Sequence, residues 1–383
     1  VQAGGQVARG GDLGMLGQVG LMDAPFSLTS YTAKTIADQQ ARSIADAISR
    51  NDPSVRLDYG DGTSVDALYI RGFPLVNDEM SLNGLPGILG QYRVATEFIE
   101  RAEVLKGPSA LLNGISPGGS VGGSINIVPK RAPQEPLNRV TVSHMSSSVW
   151  GAGVDLGRRF GEDKAWGIRV NAAARDGATA RDHLSDQSRM ASVGLDYRRD
   201  RVRASLDVIS QRQSMFGARG TVSLDNQVGA PAAPDGRRNF AQPWNVQKSI
   251  DNTVMGKLEV DLAENLTAFA ALGTTHDRTE GIVSNPATVS RNGDFGFFSI
   301  PIDWRQKTTS GQVGLRGQFQ TGPVLHQWSA VASSVRRDSR SLFDFSGLSG
   351  NAGSSNIDRP VLVPDPVVVS RFADPYAWEV ATR

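Results

Sequence analysis

Three consecutive side chains, Gln91, Tyr92 and Arg93, set an amide, a phenol ring and a guanidinium next to one another. Together they can hydrogen-bond, stack and offset negative charge, which is the chemistry of holding a ligand and not of breaking a bond. The same mixture recurs later, where Phe216, Arg219, Phe240 and Trp244 interleave aromatics with arginine, and Phe295, Phe297, Phe298 and Trp304 follow. Covalent chemistry finds little to work with, since no nucleophile–base pair or nucleophile elbow stands out. The absence of cysteine excludes disulfides and thiolate metal sites. His144, His183, His276 and His326 stand far apart, with none of the close spacing that a histidine metal site uses. A glycine-rich run from Gly114 to Gly123 lacks the Lys-Ser or Lys-Thr pair of a phosphate-binding loop, because Gly114 is followed by Ile115. Catalysis, a histidine metal cluster and a nucleotide site each find little support in these residues.

The elements that position these residues divide in character near Pro136. Before it, Ile36, Ala37, Ala41, Ile44, Ala45 and Ile48 fall at helical spacing, which predicts one amphipathic helix capped at Thr32 and ended by Asn51-Asp52-Pro53. Short strands are expected at 55–59, 67–71, 100–105 and 124–128, a helical turn at 109–113, and a linker at 133–136. After the linker the period changes to two. Val202, Ala204, Leu206 and Val208 alternate with Arg203, Ser205 and Asp207, and Val254, Leu258, Val260 and Leu262 share one parity while Lys257, Glu259 and Asp261 hold the other.

Strands fall near 138–147, 150–160, 165–176, 188–199, 201–213, 250–262, 265–279, 307–319 and 323–339. Tight turns at 161–164, 200, 263–264 and 320–322 alternate with longer links at 177–187, 214–249 and 280–306, the link near Ser148 being the short exception. Short turns on one side and long loops on the other are the signature of an outer-membrane barrel. Phe160, Trp166, Tyr197 and Phe319 stand beside the tight turns, where an interfacial aromatic girdle belongs. No stretch approaches the ~20 apolar residues of a membrane helix, but barrel strands escape that test because they alternate. The net charge of +1 argues against a nucleic-acid footprint.

Four motifs in order carry a family resemblance: PFSLTSY from Pro25, DALYIRGF from Asp66, SLNGLPG from Ser81, and the segment Ile99 to Arg131, IERAEVLKGPSALLNGISPGGSVGGSINIVPKR. The chain resembles the TonB-dependent outer-membrane receptors, in their siderophore-receptor branch. The resemblance implies an α+β plug domain, residues 1–136, inside a transmembrane antiparallel β-barrel. Residues 137–383 would supply about nine or ten of the roughly 22 strands of such transporters, leaving the barrel incomplete. It implies a monomer in the Gram-negative outer membrane, surrounded by lipid that includes lipopolysaccharide. Such a receptor imports a ferric siderophore with energy from the TonB-ExbB-ExbD complex, the iron lying only within the siderophore. No TonB box is recognisable among Val1 to Leu21.

By the same resemblance the ligand is expected on the plug's apical loops and the long barrel loops, at Asn77, Gln91, Tyr92, Arg93, Phe216, Arg219, Trp244 and Phe297. Arg71, Arg101, Glu103 and Lys106 are expected to latch the plug to the barrel wall, with pairing inside the plug as the alternative. Cobalamin, haem or a nickel chelate could use the same machinery. The rival from another class is a passive porin or surface adhesin, against which a plug argues.

Overall fold

This computed structural model describes residues 8, 10–12, 14, 17–20, 22, 24, 26–58, 63–107, 121–145, 147–218, 222–224, 231–286, 288–343, 353–364 and 379–382. The helical turn expected at 109–113 and glycines 114, 118 and 119 lie outside them.

The first unit begins with a small ribbon of β1 (Gly10–Asp12) and β2 (Gln18–Gly20), followed by β3 (Ser27–Thr32). The single helix expected next is two short ones, α1 (Ala33–Asp38) and α2 (Ile44–Ser49). Thr32 caps the first, its Oγ1 accepting from the Thr35 amide at 3.3 Å. The break has a local cause: Gln40 sits at φ 49, and Ser43 accepts from the Asp46 amide at 3.2 Å, capping a second helix. Short strands follow as β4 (Val55–Leu57), β5 (Leu68–Ile70), β6 (Phe73–Leu75), β7 (Ser81–Leu82) and β8 (Leu85–Pro86). The longer β9 (Ile99–Lys106) and β10 (Gly123–Pro129) complete a five-stranded sheet in the order β3-β9-β10-β7-β8. Ile44, Ile48, Leu68, Ile70, Leu82, Ile99, Val104, Ile125 and Ile127 bury together as its core. Gly122 is obligatory there, since a Cβ would stand 2.2 Å from the Ile70 carbonyl oxygen.

A second, all-antiparallel sheet starts with β11 (Leu137–Met145), β12 (Val149–Phe160), β13 (Trp166–Ala178), β14 (Ser185–Arg199) and β15 (Val202–Phe216). Two-residue β16 (Ser223–Leu224) sits in the next link and pairs with β19 (Thr288–Val289). The sheet continues through β17 (Val246–Ala263), β18 (Leu266–Pro286), β20 (Asp294–Thr321) and β21 (Val324–Phe343), and β23 (Glu379–Thr382) pairs with β21. Strand β22 (Gly353–Asn356) pairs with the start of β20.

This sheet inverts the usual sidedness of a protein. Val140, Leu272 and Val313 are 74, 65 and 58% exposed on its outer face, whereas Asp155, Asn171, Asp207, Asp251 and Thr275 are buried on its inner face. Water-soluble sheets do the opposite; apolar side chains turned outward from a polar interior are those of a lipid-facing barrel wall. The alternation of tight turns and longer links also stands. The expected loop 280–306, however, is mostly ladder: β18 runs to Pro286 and β20 begins at Asp294, registered through Glu280↔Asp303 and Ile282↔Pro301. At the tight-turn end, Trp166 lies opposite Tyr197 with ring centroids 4.7 Å apart, and Phe319 stacks on His326 at 4.6 Å. No helix among the described residues is long and apolar enough to cross a membrane.

Candidate ligand site and the contacts that hold the plug

The segment from Gln91 to Arg93 leaves the β7–β8 hairpin and is held from below by Asn77. That side chain is fully buried, and its Nδ2 donates to the Tyr92 carbonyl. Asn77 therefore shapes the turn. Gln91 is half-buried, and Tyr92 is 6% exposed. Arg93 is engaged on several sides. Its Nε donates to Asp66 at 3.3 Å and its Nη2 to the Thr63 carbonyl at 2.8 Å, while Nη1 stands 3.7 Å from Asp186 on β14. Burial pushes the Asp66 carboxyl above the usual carboxylate range, with Arg93 pulling the other way. Arg93, Glu97, Arg175, Asp186, Gln211 and Asp251 line a cavity of about 40 Å³ between plug and wall.

The loop aromatics form a core of their own. Val289, Phe295, Phe297 and Ile357 are buried together, with Val222, Phe240, Trp244 and Val363 against them. Trp244 donates from Nε1 to the Val363 carbonyl at 3.1 Å, and the Gln242 amide bonds Val361 and Val363 of the same segment, each at 2.9 Å. Phe297 is 3% exposed, so three links of the barrel meet over it and it does not line an open surface. Phe216 is half-buried at the end of β15, opposite Val246. Arg219 lies outside the described residues.

Of the four residues expected as a latch, three pair inside the plug. Arg101 donates to Glu103 at 2.6 Å, and Glu103 also accepts from Asn126 at 2.8 Å and the Asp12 amide at 3.0 Å. Lys106 pairs with Asp52 at 2.8 Å. The reason is topological: β9 lies between β3 and β10, so its charges meet plug strands before they can meet the wall. Arg71 is exposed on a turn at φ 52.

The pairs that do join plug to wall were missed. Just after β10, Lys130 bonds Asp155 at 3.1 Å, sharing it with Arg169, and Arg131 grips Asp207 with both nitrogens, Nη2 at 2.7 Å. Higher up, Glu97 pairs with Arg175, and Asp78 with Arg337 at 2.9 Å. The usable signal was the inward parity of Asp155 and Asp207: carboxylates buried in a barrel wall require cations, and the Lys130-Arg131 pair at the plug's exit supplies them.

Comparison with known proteins agrees with this architecture. Residues 20–121 match the family model "TonB-dependent Receptor Plug Domain". The chain belongs to the TonB-dependent receptors. It is 38% identical over 97% of its length to "Ferrichrome receptor FcuA" of Yersinia enterocolitica, covering 49% of that protein. It is 32% identical to "Ferrichrome outer membrane transporter/phage receptor" of Escherichia coli K12, over 45% of the chain and 23% of that protein. The solved structure of BauA, "the Ferric preacinetobactin receptor from Acinetobacter baumannii", superposes with a TM-score of 0.91 at 35% identity, over 96% of this chain and 55% of that one. The chain thus spans about half the length of the relatives it matches. As a TonB-dependent receptor it is a Gram-negative outer-membrane protein of a family of receptors and transporters.

Proposed function

We propose that this receptor imports a ferric siderophore across the outer membrane, driven by the TonB-ExbB-ExbD complex. The observation that carries the reading is a folded plug ion-paired into a lipid-facing wall, in a chain 35–38% identical to a ferrichrome receptor and a ferric preacinetobactin receptor. A seated plug closes passive diffusion, so entry requires work on the plug, which argues against a porin or adhesin. The apical turn Gln91 to Arg93, shaped by Asn77, and the end of β15 at Phe216 face the ligand in this reading. Trp244 and Phe297 act behind them, as the packed base of the outer loops.

The full-length receptor tests this directly. Fluorescence-quenching titration with ferric hydroxamate and catecholate chelates should give saturable binding, and uptake should stop when the proton-motive force is collapsed. Binding of only cobalamin, haem or a nickel chelate overturns the siderophore assignment. Uptake that survives the collapse overturns active transport.

A further inference from the structure

Asp251 of β17 and Asp277 of β18 lie directly opposite one another on the inner face of the wall, both buried. Neither makes an ion pair among the described residues, and no cation is among the groups that act on them. One oxygen of each is taken by a neutral donor: Gln211 Nε2 donates to Asp251 Oδ2 at 3.1 Å, and the Thr275 hydroxyl donates to Asp277 Oδ1 at 3.0 Å. Thr253 donates to Thr275 at 2.9 Å, which leaves the Thr275 proton pointing at Asp277. The remaining oxygens, Asp251 Oδ1 and Asp277 Oδ2, meet no donor, while the two carboxyls stand within hydrogen-bonding reach of each other. Two ionised carboxylates would repel in so dry a site. One proton between the free oxygens turns that repulsion into a short, charge-assisted hydrogen bond.

The plug closes over this pair. Gly90 packs so tightly that a Cβ there would stand 2.6 Å from Asp251 Cγ. Gln211 faces both units: besides Asp251, its Nε2 reaches the Arg93 carbonyl at 3.4 Å, and its Oε1 accepts from the Ala95 amide at 3.1 Å. Asp251 thus orients a wall side chain that grips the apical segment. The charges packed around the pair are engaged elsewhere. Asp78 pairs with Arg337 of β21, Glu79 accepts from the Val76 amide, Arg93 pairs with Asp66 and Asp186, and Glu97 pairs with Arg175. Arg42, Arg189 and Arg212 also line the cavity that Asp251 borders, and β20 sets neutral Gln306 opposite Asp277. On the outer face the same level carries Ser210, Asn252, His276 and Lys307, on the loop side of the Val208–Val254 row, so the pair lies beyond the hydrocarbon band. Burial pushes the Asp251 carboxyl up to about 6, and burial together with the Asp251 charge pushes Asp277 well above the usual carboxylate range. A carboxyl raised in the folded state contributes stability in acid that is lost as pH rises through the folded value.

We propose that Asp251 and Asp277 share one proton and, through Gln211, position the apical segment 90–95, so that ionising the pair loosens the turn that carries Gln91, Tyr92 and Arg93. The consequence for ligand capture rests on the proposed ligand-facing role of that turn. The positioning itself is a property of the ligand-free receptor.

The test is hydrogen exchange of the ligand-free full-length receptor in detergent from about pH 5 to about pH 9, with rates corrected for intrinsic chemical exchange. In the wild type, protection across 90–95, read best at the Ala95 amide, should fall at least about tenfold over that range while the barrel strands stay level. Asp251→Asn and Asp277→Asn keep the shape and supply the bridging hydrogen permanently, so each should hold the segment at high pH and flatten the profile. Gln211→Leu should lower protection at every pH and remove the step. Heat-modifiable gel mobility verifies that each barrel is folded. A flat wild-type profile overturns the proposal without relying on any variant. A step that persists in both folded asparagine variants overturns the shared proton, and one that persists in Gln211→Leu overturns the relay. Because no ligand is present, failure of the siderophore assignment would leave all of these outcomes unchanged.

Discussion

Asp52 carries more of the plug than its place in a turn suggests. It accepts from Lys106, from the Ser54 hydroxyl at 2.7 Å and amide at 3.0 Å, and from the Tyr31 hydroxyl at 3.4 Å, so it ties β3, β9 and the end of α2 together. Burial pushes its carboxyl up, but Lys106 and Ser54 outweigh burial and hold it below the ordinary 3.8. A carboxyl lowered in the folded state contributes stability that is present above the unfolded value and lost as pH falls through the folded one. Asp52→Asn should therefore cost about 2 kcal/mol of plug stability at pH 7, seen as faster hydrogen exchange in 52–58 and 99–107. The gap from wild type should close below pH 3.8; a gap that persists there would refute the charge-based account. Glu103 runs the other way, burial holding its carboxyl above the usual range despite Arg101, so that carboxyl favours acid. At the plug's exit, Arg131→Ala strips Asp207 of its partner. The guanidinium keeps 23% exposure, so the expected cost is about 2 kcal/mol, less than for a fully buried pair. The urea concentration that releases the plug should fall in the single variant and recover in part in Arg131→Asp/Asp207→Arg, while independence of the two sites would remove the latch.

Strands legible from alternation stop where alternation stops being apolar. The core of each barrel strand, such as 202–208 or 254–262, shows in the sequence because lipid selects apolar residues on alternate positions. Beyond the hydrocarbon band that selection ends, and Glu280 to Pro286 and Asp294 to Gln306 read as loop although the backbone ladder continues through them. The aromatics there read as ligand contacts for the same reason, while Phe295, Phe297 and Trp244 in fact pack on one another. Plug strands were legible through their short apolar runs, and the helix break at Gln40 was not, since helical spacing passes across it. Beside the ion pairs, a single small residue lets the two units approach closely. Gly273 on β18 admits Ile88 of the plug, where a Cβ would stand 2.7 Å from Ile88 Cδ1 and 3.1 Å from Leu85. Thr253 Oγ1 stands 3.4 Å from the Ile88 carbonyl at the same contact. Gly273→Leu should displace the 85–90 segment and raise its protease sensitivity with the barrel intact. Gly273→Ala should do much less, since the nearest atom is the far end of a flexible side chain; equal effects would mean that the approach is not steric.

For the molecule as a whole, everything depends on which face of the large sheet meets lipid. Val193, Val208 and Val254 lie opposite one another across β14, β15 and β17, and they are 37, 42 and 44% exposed. On a water-soluble double layer an arginine at Val208 would change stability little, because so exposed a side chain buries little on folding. Within a bilayer the same substitution puts a cation against hydrocarbon, at a cost of about 2–4 kcal/mol near the midplane. Val208→Arg should therefore lower the urea midpoint for folding of the full-length receptor into lipid vesicles, while Val208→Leu leaves it nearly unchanged. Arginine two residues further on, at Ser210, should cost less than at Val208, because depth and not shape sets the penalty. Equal tolerance of arginine at both positions would place this face in water and undo the reading of the plug as a stopper within a membrane wall.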